Sequence, residues 1–182
     1  MKTTVLKFFT LSAAIFAFST ISFGQNNTAT VTSVPVGAKI FAPITLELSN
    51  DGLMFGNIVR SSSAFTVTVN HDGTRSQTGG VTYINTGDEY SAAMFSVTGE
   101  SGQAYNIRLN ATSISLSGSE GGTMTVDAFS IGGEAYSGTD IVRTINSTGT
   151  TDSFAIGAKL NGIANQTSGV YSGSFNVTVD YN

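Results

Sequence analysis

From about residue 28 to the C-terminus, apolar and polar side chains alternate. This period of two constrains the chain more than any other feature, because only extended backbone sends successive side chains to opposite faces. At the C-terminus Tyr171, Phe175, Val177, Val179 and Tyr181 oppose Ser174, Asn176, Thr178 and Asp180. The pattern recurs at Ile44, Leu46, Leu48; at Phe65, Val67, Val69; at Tyr105, Ile107, Leu109; at Met124, Val126, Ala128; and at Phe154, Ile156, Ala158, Leu160. Turn signals separate the runs, among them Asn50-Asp51-Gly52, His71-Asp72-Gly73, Thr86-Gly87-Asp88, Gly121-Gly122 and Gly132-Gly133. Glycine there permits positive φ, and Asn or Asp side chains can bond the turn backbone. Strands with one apolar and one polar face, repeated this often, predict two sheets that bury their apolar faces against each other. The expected fold is therefore all-β, an immunoglobulin-like antiparallel β-sandwich. No long capped stripe of period 3.6 competes with it.

Ahead of the alternation, Lys2 and Lys7 precede an apolar run from Phe8 to Phe18, and small residues stand at Ser22 and Gly24. That order predicts a cleaved signal peptide over residues 1–24, with the cut before Gln25, and hence an exported protein. The run is too short for a stable membrane span, which needs about 20 apolar residues. The remaining 158 of 182 residues suit a single domain, residues 25–182. Losing two of eight basic residues and none of twelve acids leaves six against twelve, a formal charge of −6. A polyanion such as nucleic acid is excluded as a partner, because no basic patch is present to hold it. With no cysteine, an exported chain has no disulfide and no thiolate, so stability rests on packing and strand pairing.

The same inventory points away from catalysis. The single histidine, His71, lies in a tight turn that explains it without a nucleophile. Most acids sit beside glycine or in turns, where carboxylates are ordinarily solvated, and Asp88-Glu89 is the sole adjacent acidic pair. No calcium loop, phosphate loop or dinucleotide loop occurs. The expectation is a protein that is not an enzyme, with no catalytic, cofactor or metal residues.

Several stretches stand in a familiar order: Leu53-Met54-Phe55-Gly56-Asn57-Ile58-Val59, Gly73-Thr74-Arg75, Thr78-Gly79-Gly80-Val81, Ala92-Ala93-Met94-Phe95-Ser96-Val97-Thr98-Gly99, Ala164-Asn165-Gln166, and Gly169-Val170-Tyr171-Ser172-Gly173-Ser174-Phe175. In this order they resemble the bacterial domain-of-unknown-function family 4402 and, more remotely, spore coat protein U and archaic chaperone-usher pilin subunits. The resemblance implies an exported β-sandwich whose better-studied relatives are subunits of surface fibres. Those pilins often carry a disulfide near the first strand, which this chain lacks. The expected function is a structural or interaction module at the bacterial cell surface or in the periplasm, a pilin-like or matrix subunit that pairs strands with itself or with other surface proteins. Residues Thr28–Val34 are the candidate donor segment, or else an ordinary first or edge strand. The alternative is a module that binds glycan or a surface polymer through Tyr90, Tyr136 and Phe129.

Overall fold

The alternation becomes fourteen strands, with no helix, among residues 30–84 and 90–182, which the computed structural model describes. The first five are β1 (Thr45–Leu48), β2 (Ile58–Val59), β3 (Phe65–Val69), β4 (Arg75–Thr78) and β5 (Thr82–Tyr83). Then come β6 (Ala93–Thr98), β7 (Ala104–Leu109), β8 (Ile114–Gly118), β9 (Thr123–Ile131) and β10 (Glu134–Ala135). The last four are β11 (Ile141–Thr144), β12 (Thr151–Gly162), β13 (Tyr171–Ser172) and β14 (Val177–Tyr181). In the large antiparallel sheet β1, β6, β12, β9, β8 and β13 lie in that order, with β10 on β9 and the β3–β4 hairpin on β12. A second sheet has the order β11-β7-β14, and β2 pairs with β5 in a small third one. The expected leader over residues 1–24 and the Thr86-Gly87-Asp88 turn lie outside the described residues.

The large sheet is organised by β12. One of its edges pairs with β9. The other is divided, with Thr151–Ile156 against β6 and Ala158–Gly162 against β3. Gly157 sits at the seam. A Cβ there would meet the Val69 carbonyl oxygen and the Asn70–His71 backbone, so the end of β3 can approach only because no side chain intervenes.

Across β12 from this seam, β9 bulges. Gly157 faces Ser130 and Lys159 faces Asp127, which leaves Ala128 and Phe129 together opposite Ala158. Ala128 absorbs the extra residue in the left-handed region, at φ 49°. The bulge reverses the inward parity of the strand. Sequence alternation predicts Met124, Val126 and Ala128 on one face, but Ala128 is exposed while Phe129 and Ile131 are buried.

Both sheets contribute to one core: Phe95, Val97, Val126, Phe129, Ile131, Phe154 and Ile156 from the large sheet, Tyr105, Ile107 and Leu109 from β7. Full burial of each large aliphatic side chain contributes about 1.5–3 kcal/mol. Alternation predicts a single strand from Tyr171 to Tyr181, yet the chain changes sheets within it. Tyr171–Ser172 pairs with β8, and Val177–Tyr181 pairs with β7. Gly173 makes the crossing against Leu116, where a Cβ would lie 2.7 Å from Cδ2. Phe175 then packs on Phe129 in a tilted pair, at 5.2 Å between ring centroids and 56° between ring planes. Period two continues through the crossing because both sheets turn the same side chains inward.

One end of the sandwich is closed by polar groups on inward positions. Tyr105 and Arg143 are cross-strand partners in the second sheet, and both reach Asp152 on β12. Tyr105 Oη donates to Asp152 Oδ2 at 2.7 Å. Arg143 donates from Nε to Oδ2 at 2.9 Å and from Nη2 to Oδ1 at 3.1 Å. Burial alone would raise the Asp152 carboxyl, but the hydrogen bonds from Arg143 and Tyr105 and the Arg143 charge outweigh it and hold the carboxyl below its ordinary value of 3.8. Burial and the bond to Asp152 push the Tyr105 phenol well up.

A carboxyl lowered in the folded state stabilises the fold fully above its ordinary value, and the contribution is lost as pH falls through the folded value. Asp152→Asn is therefore expected to cost about 1–3 kcal/mol at neutral pH. In urea titrations its deficit should shrink as the pH is lowered below about 4. Gly157→Ala is expected to lower stability by about 1–3 kcal/mol in the same measurement, through the clash with the end of β3.

Candidate functional site

Open strand edges are the first feature that can meet a partner. β1 pairs only with β6, and β11 and β14 each pair only with β7. Each of these strands therefore has one side with no ladder partner among the described residues, and unpaired main-chain donors and acceptors are a template for another strand. Leu48 at the end of β1 and Val142 on β11 are each 53% exposed.

The candidate donor, Thr28–Val34, fares differently from its expectation. Thr28 and Ala29 lie outside the described residues, and Thr30–Val34 form no strand, neither a first strand nor an edge strand. Ser33 has φ 66°, a left-handed conformation that interrupts extended backbone. The alternation resumes beyond it. Val34, Val36, Ala38 and Ile40 alternate with Pro35, Gly37 and Lys39, and Val36 and Ile40 are 95% and 90% exposed. The sequence carries the same row, with Pro35 the residue that follows the expected donor segment.

The proposed aromatic platform is not assembled. Phe129 and Tyr136 are buried in the core, Phe129 because the Ala128 bulge turns it inward. Tyr136 Oη accepts from Leu109 N at 3.1 Å and donates to Leu109 O at 2.9 Å, tying the stretch after β10 to the end of β7. Of the three, Tyr90 alone keeps a sizeable exposed surface.

Tyr90 belongs instead to a cluster around Arg75 that sequence reasoning did not single out. The guanidinium carbon lies 3.4 Å from the Tyr83 ring centroid and 4.1 Å from that of Tyr90, so both rings hold the cation by their π faces. Arg75 Nη1 donates to Phe55 O at 3.1 Å. The neighbouring Ser91 is fixed by a two-way backbone bridge to Met54 and by Oγ donation to Gly52 O at 2.7 Å, which sets where Tyr90 stands. Burial pushes the Tyr83 phenol up, partly countered by the Arg75 charge. The available sequence signal was weak: an arginine on a hydroxyl-rich strand of a chain with few cations.

A second concavity, of about 420 Å³, opens between β9, the end of β12 and the following loop. Thr123, Thr125, Asn161, Ile163 and Gln166 line it, with no charged group. Gln166 is buried and fully engaged: Nε2 donates to Thr123 O and to Tyr171 Oη, and Oε1 accepts from Ile163 N. It thus holds the loop to the sheet.

His71 rests its ring on the Gly133 turn, where a Cβ would come within 3.1 Å of Cε1. Its neighbour Asp72 accepts from Thr74 N and Oγ1, and the Thr74 side-chain bond is the main reason its carboxyl is lowered. These contacts build the turn between β3 and β4. Among the described residues no three His, Asp or Glu side chains are grouped to hold a metal ion, and Asp88-Glu89 lies outside them. No helix among those residues is long and apolar enough to cross a membrane.

A family model described as a domain of unknown function, DUF4402, matches residues 44–181. The chain belongs to this family. The match runs from just before β1 to the last residue of β14, so the DUF4402 unit coincides with the sandwich. No curated protein and no solved structure matches at a significant level.

If Phe129 packs the DUF4402 core and does not contact a ligand, Phe129→Ala should cost about 3–5 kcal/mol of unfolding free energy. Tyr136→Phe should cost about 1–3 kcal/mol by stranding the Leu109 backbone groups. Tyr90→Ala should cost about 1 kcal/mol or less. Urea denaturation of the three variants separates these outcomes.

Proposed function

We propose that this chain is an exported structural or interaction module of the bacterial cell surface or periplasm. It acts as a pilin-like or matrix subunit that joins copies of itself or other surface proteins by strand pairing, with no catalytic role. The observation that carries this reading is the row Val34, Val36, Ala38 and Ile40, alternate side chains of one short segment, three of them large and strongly exposed. Apolar surface left in water costs about 25 cal/mol per Å². An extended segment with alternate apolar side chains recovers that by adding to a sheet edge, where main-chain bonds supply affinity and side-chain pockets supply specificity. The open sides of β1, β11 and β14 are edges of the required kind. The leader expected over residues 1–24 supports export, and a surface with few charges and many hydroxyls suits a subunit that packs against others.

A second reading, a module that binds glycan or another surface polymer, is favoured by the uncharged 420 Å³ concavity around Gln166, since ligand sites are concave with a few placed polar groups.

Analytical ultracentrifugation tests the first reading. The purified protein is expected to form oligomers as concentration rises, and Val36→Asp combined with Ile40→Asp is expected to hold it monomeric with an unchanged unfolding midpoint. A wild-type protein that stays monomeric throughout, alone and mixed with its surface-protein fraction, would refute strand-mediated assembly.

A further inference from the structure

Three arginines of this protein can be compared directly. Arg108 donates from Nε to Asp140 Oδ1 at 2.8 Å and from Nη2 to Asp140 Oδ2. Arg143 uses the same two nitrogens on Asp152. In each case the Nε–Nη2 side of the guanidinium takes a carboxylate in the two-pronged manner its planar geometry favours. Arg75 is held in a different way. Tyr83 and Tyr90 both lie over the guanidinium within stacking range, and Phe55 O occupies Nη1. Its Nε–Nη2 side meets no carboxylate among the described residues.

The clamp is specific in what it leaves over. The two rings hold the cation by their π faces and the Phe55 bond uses Nη1, which leaves Nε and Nη2 as a pair of donors with no carboxylate among the described residues. Such a pair suits a planar acceptor with two oxygens. The Tyr83 hydroxyl is buried with no hydrogen-bond partner among the described residues. Stacking on the cation, not that hydroxyl, therefore sets the ring's place. Tyr90 is 39% exposed and offers an aromatic surface beside the cation on which the C–H groups of a sugar ring can rest.

We infer that Arg75, clamped by Tyr83 and Tyr90, is a binding site for a carboxylated sugar, with the carboxylate on the Nε–Nη2 edge and the ring against Tyr90. The pre-set guanidinium lowers the ordering cost of binding. The chain's formal charge of −4 supplies no long-range attraction for an anion, so recognition rests on this short-range pair. The site shares no residue with the row at Val34–Ile40 or with the Gln166 concavity, and it stands or falls without them.

Proton–nitrogen NMR of the purified, isotope-labelled protein reads the site directly through the assigned Nε–Hε signal of Arg75. D-glucuronate is expected to shift that signal saturably, D-glucose to leave it in place, and acetate to bind about tenfold more weakly, for want of the ring contact. Arg75→Lys keeps the charge but loses the two-pronged geometry, and should abolish the glucuronate-induced shifts of the backbone amides of Tyr83 and Tyr90 while otherwise retaining the backbone spectrum. Tyr90→Ala should weaken binding about tenfold. No glucuronate shift, an equal response to glucose, acetate as tight as glucuronate, or undiminished binding to Arg75→Lys would each overturn the assignment. Should Arg75→Lys fail to fold, the wild-type Nε–Hε response and Tyr90→Ala decide the matter.

Discussion

The pairing of β12 on both edges is the constraint on which the rest of the structure depends. This strand takes β9 along one side and, on the other, β6 and then β3 end to end. Backbone groups in the middle of a sheet must find partners or incur a desolvation penalty. Two strands can share one edge only if the ladder changes hands without leaving a gap. Gly157 permits that change, since the backbone of Val69–His71 occupies the space a side chain would need. The Ala128 bulge on the opposite side shifts the register of β9 by one residue between the two halves of β12 and turns Phe129 and Ile131 toward the core.

Polar groups at the end of the core complete the closure. Asp152 has the inward parity of Phe154 and Ile156, and a lone carboxylate there would be costly. Tyr105 and Arg143, adjacent across the second sheet, supply donors to both of its oxygens. The result is a charged link between the layers at the place where the hydrophobic interior ends. At the same end, Tyr181 Oη accepts from Glu100 N and donates to Ala42 O. Gly99 leaves room for that hydroxyl, because a Cβ there would lie 2.5 Å from it. A chain without disulfides thus fastens its layers by hydrogen bonds from inward-facing strand side chains to one another and to the loops beside them.

The surface divides its capacities. In the proposed assembly, open edges and an exposed alternating segment serve chain–chain contact, while the Gln166 concavity offers an uncharged recess and the Arg75 cluster presents a pair of donors. The aromatic residues that sequence reasoning gathered into one platform are distributed by the bulge between interior and surface. Aromatic residues among turns carry no label for burial in sequence, because a single extra residue in a strand reverses which neighbour points inward.

Alternation and motif order were enough for the all-β class, the two-layer sandwich, the strands at Phe65–Val69, Tyr105–Leu109 and Phe154–Leu160, and membership of the DUF4402 family. Local alternation is a property of neighbouring residues, so it survives any arrangement of strands. The inward turn of Phe129, the change of sheet between Tyr171 and Val177, the seam at Gly157, the meeting of Tyr105, Arg143 and Asp152, and the gathering of Tyr83 and Tyr90 on Arg75 came from the folded arrangement alone. Each of these depends on which strands lie side by side and in what register. A period of two is identical in every sheet, and so it cannot name the partner across the ladder or across the core.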